Sequence, residues 1–416
     1  MRASVILTIL IALSFGVIAP AFAADLPGVW TELVADGGLE LRAIVPGAAQ
    51  CPKIVADGAM IATARRGEPD AAYPVQTCIA RVPPATRRLT ADGLSAPVLP
   101  ARLRRIVVVG DTGCRIKGSF AQDCNNPAAW PFATVARLAA LQRPDLVIHV
   151  GDYHYRESPC PVGRIGCAGS PFGDNWAAWK ADFFDPAAPL LAAAPWVLVR
   201  GNHELCDRGG VGWFRLLDPH PSPVCSALTE PYALHLDRLN LLMFDSADAD
   251  EDKIDPAKAA AFRGQLQTLL HGVKSGAWLL THRPIWAWSQ GRVPVDAISN
   301  ITVQAAIRDL VPKQLDMIVA GHIHDFAAYD FAGKLPVQLV TGEGGDVNDP
   351  TTHPLKPGER IDGVSIRRGF ATPDYGFLVL DRDGAGWQGR VISLANQTVA
   401  LCRFQGRSAE CKASHP

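Results

Sequence analysis

Five short apolar runs, each ending in a polar turn, constrain the fold of this 416-residue chain more than any other feature. The runs and turns are Ile106–Val109 before Gly110-Asp111, Leu146–Val150 before Gly151-Asp152, Trp196–Val199 before Arg200-Gly201-Asn202-His203, Trp278–Leu280 before Thr281-His282, and Met317–Ala320 before Gly321-His322. Helical stretches lie between some of them. Buried strands that alternate with helices predict an α/β sheet domain, whose sites gather beyond the strand ends.

The region before these runs has a different sequence pattern. Residues 24–81 carry short alternating stretches broken by Gly and Pro, which predict a small β-rich domain. Residues 82–103 are rich in Pro and Arg and have little periodicity, which is typical of a linker. The remaining residues, 104–416, form the predicted catalytic domain.

The first 23 residues resemble an export signal rather than part of the fold. Arg2 supplies a positive start, an apolar run extends from Val5 to Val17, and Ala21-Phe22-Ala23 offers a small-x-small cleavage site. A membrane anchor is the alternative, but a span needs about 20 apolar residues and this run is shorter. We therefore expect cleavage after Ala23 and a secreted or periplasmic protein.

Ten cysteines support export, because an even number of cysteines in an exported chain indicates disulfides. A zinc ribbon would need close CxxC pairs, and the sequence has none. Spacing alone does not determine connectivity, but neighbours in sequence close small loops. The predicted disulfides are Cys51–Cys78, Cys114–Cys124, Cys160–Cys167, Cys206–Cys225 and Cys402–Cys411.

Composition and charge narrow the possible partners. Hydrophobic residues make up 48 % of the chain and charged residues 19 %, so it can bury a sizeable core and disorder is not expected. The net charge is −1 and no basic block stands out, which argues against nucleic acid and anionic membranes as partners. No segment after the leader is long and apolar enough to span a membrane.

The turns after the apolar runs bring together side chains that bind metals. They offer two Asp, one Asn, one Tyr and three His: Asp111, Asp152, Asn202, Tyr155, His282, His322 and His324. Each short motif alone is weak, since a Gly-Asp after a strand is usually a turn. Five in succession, each after an apolar run, indicate one or two ions of the iron, zinc or manganese kind.

The five motifs resemble those of the calcineurin-like metallophosphoesterase superfamily and, more narrowly, of the purple acid phosphatases. The narrower pattern is GDxG, GDxxY, GNHE, VxxH and GHxH, and four of the five are intact here. The fourth reads Leu279-Leu280-Thr281-His282, with Leu in place of Val. The resemblance spans about residues 105–345. It implies a four-layer fold in which two β-sheets lie between layers of helices.

The resemblance also implies a role for each motif residue. It assigns Asp111, Tyr155 and His324 to a first metal, Asn202, His282 and His322 to a second, and Asp152 to both. His203 would face the phosphate and help to protonate the leaving oxygen, and Glu204 would orient a neighbour of the metals. The implied reaction is hydrolysis of phosphate monoesters by attack of a metal-bound hydroxide.

Tyr155 bears on the identity of the metals. Most metallophosphoesterases begin with Asp-x-His, but here the third position is Gly113, so an imidazole is missing from the first site. Two carboxylates, a phenolate and one imidazole favour Fe(III) there. The second site would then hold Zn, Mn or Fe(II).

Other functions remain open from the sequence. Plant-type members carry further histidines shortly after the fourth motif, whereas the run that starts at Arg283 has none. A metallophosphodiesterase or nucleotide hydrolase of the same superfamily is therefore the main alternative. A third alternative is an inactive binding or storage module on the same fold, although the presence of all seven candidate ligands argues against it. A fourth is an exported structural protein in which the motifs are only turns, and such a protein would bind no metal.

Overall fold

The computed structural model describes residues 28–251, 253–288, 300–348 and 355–414. The expected leader, residues 1–23, and its cleavage after Ala23 lie outside the described residues. Short strands make up the N-terminal region: β1 Gly28–Leu33, β2 Leu39–Pro46, β3 Ile54–Ala56, β4 Ala59–Ile61, β5 Ala64–Arg66, β6 Val75–Val82, β7 Leu89–Ala91 and β8 Leu94–Ala96.

Strands and helices alternate through the middle of the chain. They are β9 Arg105–Val109, β10 Ile116–Lys117, β11 Phe120–Ala121, α1 Phe132–Leu141, β12 Leu146–His149, α2 Trp176–Trp179, α3 Asp185–Leu191, β13 Trp196–Leu198, α4 Gly210–Leu216, β14 Tyr232–Leu236, β15 Leu239–Met243, α5 Pro256–Leu270, β16 Ala277–Leu280, α6 Ile301–Ile307 and β17 Leu315–Ala320. A π-helical stretch, Lys180–Phe184, joins α2 to α3.

The C-terminal part of the described chain consists of strands. These are β18 Phe326–Phe331, β19 Val337–Thr341, β20 Arg360–Ile361, β21 Val364–Thr372, β22 Gly376–Asp383, β23 Gly386–Ser393, β24 Thr398–Gln405 and β25 Ser408–Ala413. Most of them pair antiparallel with a neighbour, so they extend the two large sheets outward.

Two mixed sheets form the body of the protein. Among the described residues, the first has 11 strands in the order β25-β24-β23-β22-β9-β12-β13-β1-β2-β6-β5. The second has eight, in the order β14-β15-β16-β17-β19-β18-β21-β20. Each sheet has a parallel centre, formed by β9, β12 and β13 in the first and by β15, β16, β17 and β19 in the second.

The alternating side chains of the central strands divide the core into layers. Ile106 and Val108 of β9 share a buried cluster with Leu280 and Val319 of the second sheet, so the sheets pack face to face. Val107 and Val109 point the other way, because successive side chains alternate across a strand. They pack against α1 and α3, while the outer face of the second sheet packs against α5 and α6. The predicted four-layer fold is therefore confirmed.

Four of the N-terminal strands, β1, β2, β5 and β6, continue the first sheet, while β3, β4, β7 and β8 form a separate four-stranded sheet. Strand β1 pairs in parallel with β13, and β2 and β6 extend the sheet beyond it. Residues 82–103, expected as a linker, contain β7 and β8; β7 pairs with β3 on one side and with β8 on the other. Leu89 and Ala91 are buried there against Ile54, which explains why the segment is ordered. The proposed boundaries at residues 81 and 103 stay a prediction.

Five disulfides join the ten cysteines in the predicted pairs, and the prediction of local pairing is confirmed. Three of them staple loops that follow the polar turns after β9, β12 and β13. Within the described ranges, none of the helices combines the length and the apolar character that crossing a bilayer requires.

Candidate metal centre

The turns after β9 and β12 carry two buried carboxylates, Asp111 and Asp152. Both residues have a left-handed backbone, with φ of 55° and 61°. Residues other than glycine rarely adopt this conformation, and it recurs at functional sites. The Tyr155 hydroxyl lies between them, 3.1 Å from Asp111 Oδ1 and 2.8 Å from Asp152 Oδ2. The first two motifs thus converge on one buried point.

Gly113 leaves the space that the Tyr155 ring fills. A Cβ atom at Gly113 would lie 2.7 Å from both the Tyr155 ring and the Tyr153 carbonyl oxygen, closer than packed atoms can approach. A larger side chain at position 113 and the observed place of Tyr155 therefore exclude each other. The sequence predicts that a phenol takes the place of an imidazole here. The absence of a side chain at Gly113 leaves the room that this phenol needs.

Three imidazoles approach the same point from the second sheet. His282 lies beyond the end of β16, and His322 and His324 follow β17. His282 Nδ1 is 2.8 Å from the Val150 carbonyl, and His324 Nδ1 is 2.7 Å from the Val347 carbonyl. A carbonyl only accepts hydrogen bonds, so each Nδ1 carries a proton and each Nε2 is left with a lone pair, as a metal ligand requires.

The donors form two groups that share Asp152. In the first, His324 Nε2 is 3.3 Å from the Tyr155 hydroxyl and 3.5 Å from Asp111 Oδ1. In the second, His282 Nε2 is 3.0 Å from Asn202 Oδ1 and 3.2 Å from Asp152 Oδ2. One ligand atom each from Asp152, His282 and His322 lie within 4.8 Å of one another. All seven predicted ligand residues are therefore brought together.

Burial and close charges shift the pKa values of the side chains in this cluster. Burial raises the pKa of Asp111, while His282 and His203 hold the pKa of Asp152 well below its usual range against the effect of burial. Burial also disfavours charged imidazoles, yet Asp152 and Asp111 raise the pKa of His282 to about 9. The site thus attracts positive charge, and its mixture of carboxylate, phenol, amide and imidazole fits ions of the iron, zinc or manganese kind.

Glu204 holds the turn that carries Asp152. Its carboxylate accepts backbone hydrogen bonds from Asp152 and Gly201 at 3.0 Å, from Tyr153 at 2.9 Å and from His154 at 3.1 Å. Burial, together with the charge of Asp152, raises the pKa of Glu204 to about 7. The side chain holds the turn of Asp152 without joining the cluster, and its orienting role stays a prediction.

His203 lies beside the donor cluster. Its ring centroid is 3.7 Å from that of Tyr155, and its Nε2 atom is 3.9 Å from Asp152 Oδ2. Its Nδ1 atom is 2.7 Å from Glu157 Oε1, and Arg208 contacts both side chains. Burial lowers the pKa of His203 to about 4, although Asp152 and Glu157 oppose this effect.

Sequence reasoning missed three carboxylates around the site. Glu251 Oε1 is 3.0 Å from His322 Nε2, and Asp346 Oδ2 is 3.5 Å from His324 Nδ1. Asp182, in the π-helical stretch, accepts hydrogen bonds from the backbone of Tyr155 at 2.7 Å and of Cys114 at 2.9 Å. Only Asp346, directly after the glycine-rich Gly342–Gly345 loop, had a nearby motif that could have indicated it.

Comparison with known proteins gives a family and a fold. The calcineurin-like phosphoesterase family model matches residues 104–326, more than half of the chain. A purple acid phosphatase from yellow lupin (Lupinus luteus) seeds superposes with a TM-score of 0.58 at 14 % identity, over 92 % of this chain and 74 % of that one. PhoD superposes with a TM-score of 0.59 at 14 % identity, over 96 % and 94 %. No curated protein matches the sequence significantly.

Proposed function

The chain belongs to the calcineurin-like phosphoesterase family, and from this premise we propose that it is an exported phosphatase with two metal ions. Family membership makes it a hydrolase of phosphoester bonds. The proposal adds that it acts on phosphate monoesters, as a purple acid phosphatase does. The leader-like start and five disulfides support export to an oxidising compartment.

The position of one oxygen atom carries the proposal. Asp152 Oδ2 is 2.8 Å from the Tyr155 hydroxyl and 3.2 Å from His282 Nε2, so it belongs to both donor groups. A carboxylate shared between two sets of ligands is what a pair of neighbouring ions requires. Asp111, Tyr155 and His324 would complete the first ion, and Asn202, His282 and His322 the second.

The donor sets favour different ions. The first set has two carboxylates and a phenol and would favour Fe(III), while the second has one carboxylate and neutral donors, which suits Zn, Mn or Fe(II). Two bound ions would neutralise phosphate charge and activate water near neutral pH. The protein's own contribution is to hold these donors rigidly, with Glu204 fixing the turn of Asp152 through four backbone hydrogen bonds.

His203 is the proposed proton donor to the leaving oxygen. Its ring packs at a tilt of 37° against that of Tyr155, and its backbone nitrogen donates a hydrogen bond of 2.8 Å to Asp152 Oδ1, so its position is well defined. Glu157 and Arg208 hold the imidazole from the other side. A phosphate dianion beside the ring would favour its protonated form.

A metallophosphodiesterase or nucleotide hydrolase is the second candidate. It is favoured by the lack of histidine between Arg283 and Asn300, where plant-type purple acid phosphatases carry further histidines. A panel of aryl phosphate monoesters, aryl diesters and nucleotides distinguishes the two. We expect kcat/KM to be highest for monoesters. A preference for diesters or nucleotides of 10-fold or more would replace the first candidate by the second.

The visible spectrum tests the iron assignment separately. Iron-loaded enzyme should be purple because of charge transfer from the Tyr155 phenolate, and Tyr155→Phe should lose the band. A band that survives this substitution would remove Tyr155 from the metal. A colourless but active zinc or manganese enzyme would refute iron and leave the two-ion proposal intact.

A further inference from the structure

The three imidazoles of the metal centre differ in what holds their outer nitrogen. Backbone carbonyls, those of Val150 and Val347, hold His282 and His324. His322 is held instead by a carboxylate, with its Nε2 atom 3.0 Å from Glu251 Oε1. Arg283 Nη1 is 3.4 Å from the same His322 Nε2 atom, so this nitrogen is occupied by an acidic and a basic side chain and Nδ1 is the nitrogen left to face an ion.

The two donor groups also differ in negative charge. The first group contains two carboxylates, Asp111 and Asp152, together with the phenol of Tyr155. The second group contains Asp152 alone, since Asn202, His282 and His322 are neutral donors. A carboxylate hydrogen-bonded to a ligand imidazole makes that imidazole a stronger donor. Glu251 therefore adds negative charge where the second group lacks it.

Glu251 is itself fixed in place. Arg283 Nη1 is 2.6 Å from Glu251 Oε2, and the Arg283 side chain also donates to the Ala247 carbonyl at 3.2 Å. The backbone nitrogen of Arg283 donates to Ser246 Oγ at 2.9 Å, so the loop after β15 is tied to the residue that follows His282. The Glu251 and Arg283 side chains are only 17 % and 14 % exposed. Little freedom remains for the carboxylate to leave His322.

We propose that Glu251 is a positioning residue for the second ion: it fixes the imidazole of His322 and strengthens its binding to that ion. Arg283 supports this role by holding Glu251, and it also contacts His322 Nε2 itself at 3.4 Å. The inference rests on the proposed function, because it presumes a two-ion centre. It assigns no contact between Glu251 and the substrate.

Metal titration of the full exported chain tests the inference. Metal-free protein is titrated with Zn²⁺, and the number of bound ions and their dissociation constants are measured by calorimetry. We expect Glu251→Ala to bind the second ion about 10- to 100-fold more weakly, with the first ion unchanged. Glu251→Gln should weaken binding of the second ion less than Glu251→Ala does. Its amide oxygen can still contact His322, but it carries no charge.

Asp250→Asn is the matched control, since Asp250 neighbours Glu251 in the chain but contacts Lys258 at 3.4 Å. It should bind both ions as the wild type does. Excess Zn²⁺ should restore turnover to Glu251→Ala, which a misfolded variant could not do. The inference is overturned if Glu251→Ala and Glu251→Gln keep wild-type affinity for both ions, or lose both ions equally. Wild-type protein that binds fewer than two ions would instead refute the proposed function, and the inference with it.

Discussion

Two clusters of buried charge in this protein are compensated in different ways. Beneath the N-terminal strands, Arg42 lies 3.0 Å from Glu32 and 2.8 Å from Glu40, and Arg66 lies 3.6 Å from Asp218. At the metal centre, the only ion-pair partners of Asp111 and Asp152 among the described residues are histidines. The first cluster carries its own permanent cations, whereas the second depends on groups that can give up their protons.

This difference separates a structural cluster from a functional one. Burying a carboxylate is costly unless a cation or several hydrogen bonds compensate it. Arginine supplies that charge permanently and fills the space where an ion could bind. Histidine can release its proton and present a lone pair to an ion, so His282 compensates Asp152 without metal and would bind metal when it is present.

The largest expected effect is that of Asp152→Ala. Because one carboxylate would be lost from both ions, activity should fall to background and metal analysis should find both ions lost. The metal-free variant should still fold, since a buried negative charge has been removed. Wild-type activity or metal content in this variant would show that Asp152 is not shared between two ions.

The opposite outcome is expected for Arg42→Met. Arg42 also donates to the carbonyls of Leu216 and Asp218, both at 2.9 Å, so its loss leaves the Glu40 carboxylate and these carbonyls unpaired. Denaturant unfolding should show a loss of about 3–5 kcal/mol, while the folded fraction keeps its metal. Loss of metal from the folded fraction would break the distinction between the two clusters.

A smaller effect is expected from His203→Ala, which removes the proposed proton donor but no ligand. Turnover should fall about 10²-fold or more while both ions remain bound. Turnover of aryl esters with strongly acidic leaving phenols should fall less, because their leaving oxygen needs less help from a proton donor. Metal loss equal to that of Asp152→Ala would place His203 among the ligands instead.

Counted per pH unit, the smallest effect concerns Glu32 in the structural cluster. Burial raises the pKa of Glu32 to about 8 despite Arg42, compared with 4.5 as its ordinary value. The folded protein therefore holds this proton between about pH 4.5 and pH 8 while the unfolded chain releases it, and stability is lost as pH rises through that window.

Glu32→Gln should remove this dependence, because an amide does not titrate in the window. Relative to the variant, the wild type should lose up to about 1.4 kcal/mol of unfolding free energy per pH unit between pH 5 and 8. Unfolding of metal-free protein across this range measures the difference. Parallel pH profiles for the two proteins would show that Glu32 is ionised when folded.

The sequence predicted the metal centre better than its surroundings. Each ligand motif follows a buried strand, and the ends of neighbouring parallel strands meet at one edge of a sheet, so Asp111 after β9 and Asp152 after β12 could be expected close together. Glu251 and Asp182 could not, because they lie in a loop and a helical segment without motifs and act through hydrogen bonds that only the folded chain forms. The parallel pairing of β1 with β13 joins residues far apart in sequence, which no local pattern indicates.

The number of metal ions per active chain tests the account most directly. Exported protein should be purified without chelator, and its metal content and specific activity measured in the same fractions. The account predicts about two ions per fully active chain, with activity and metal content lost together on chelation and regained together on reloading. Full activity in protein that holds one ion or none would contradict it.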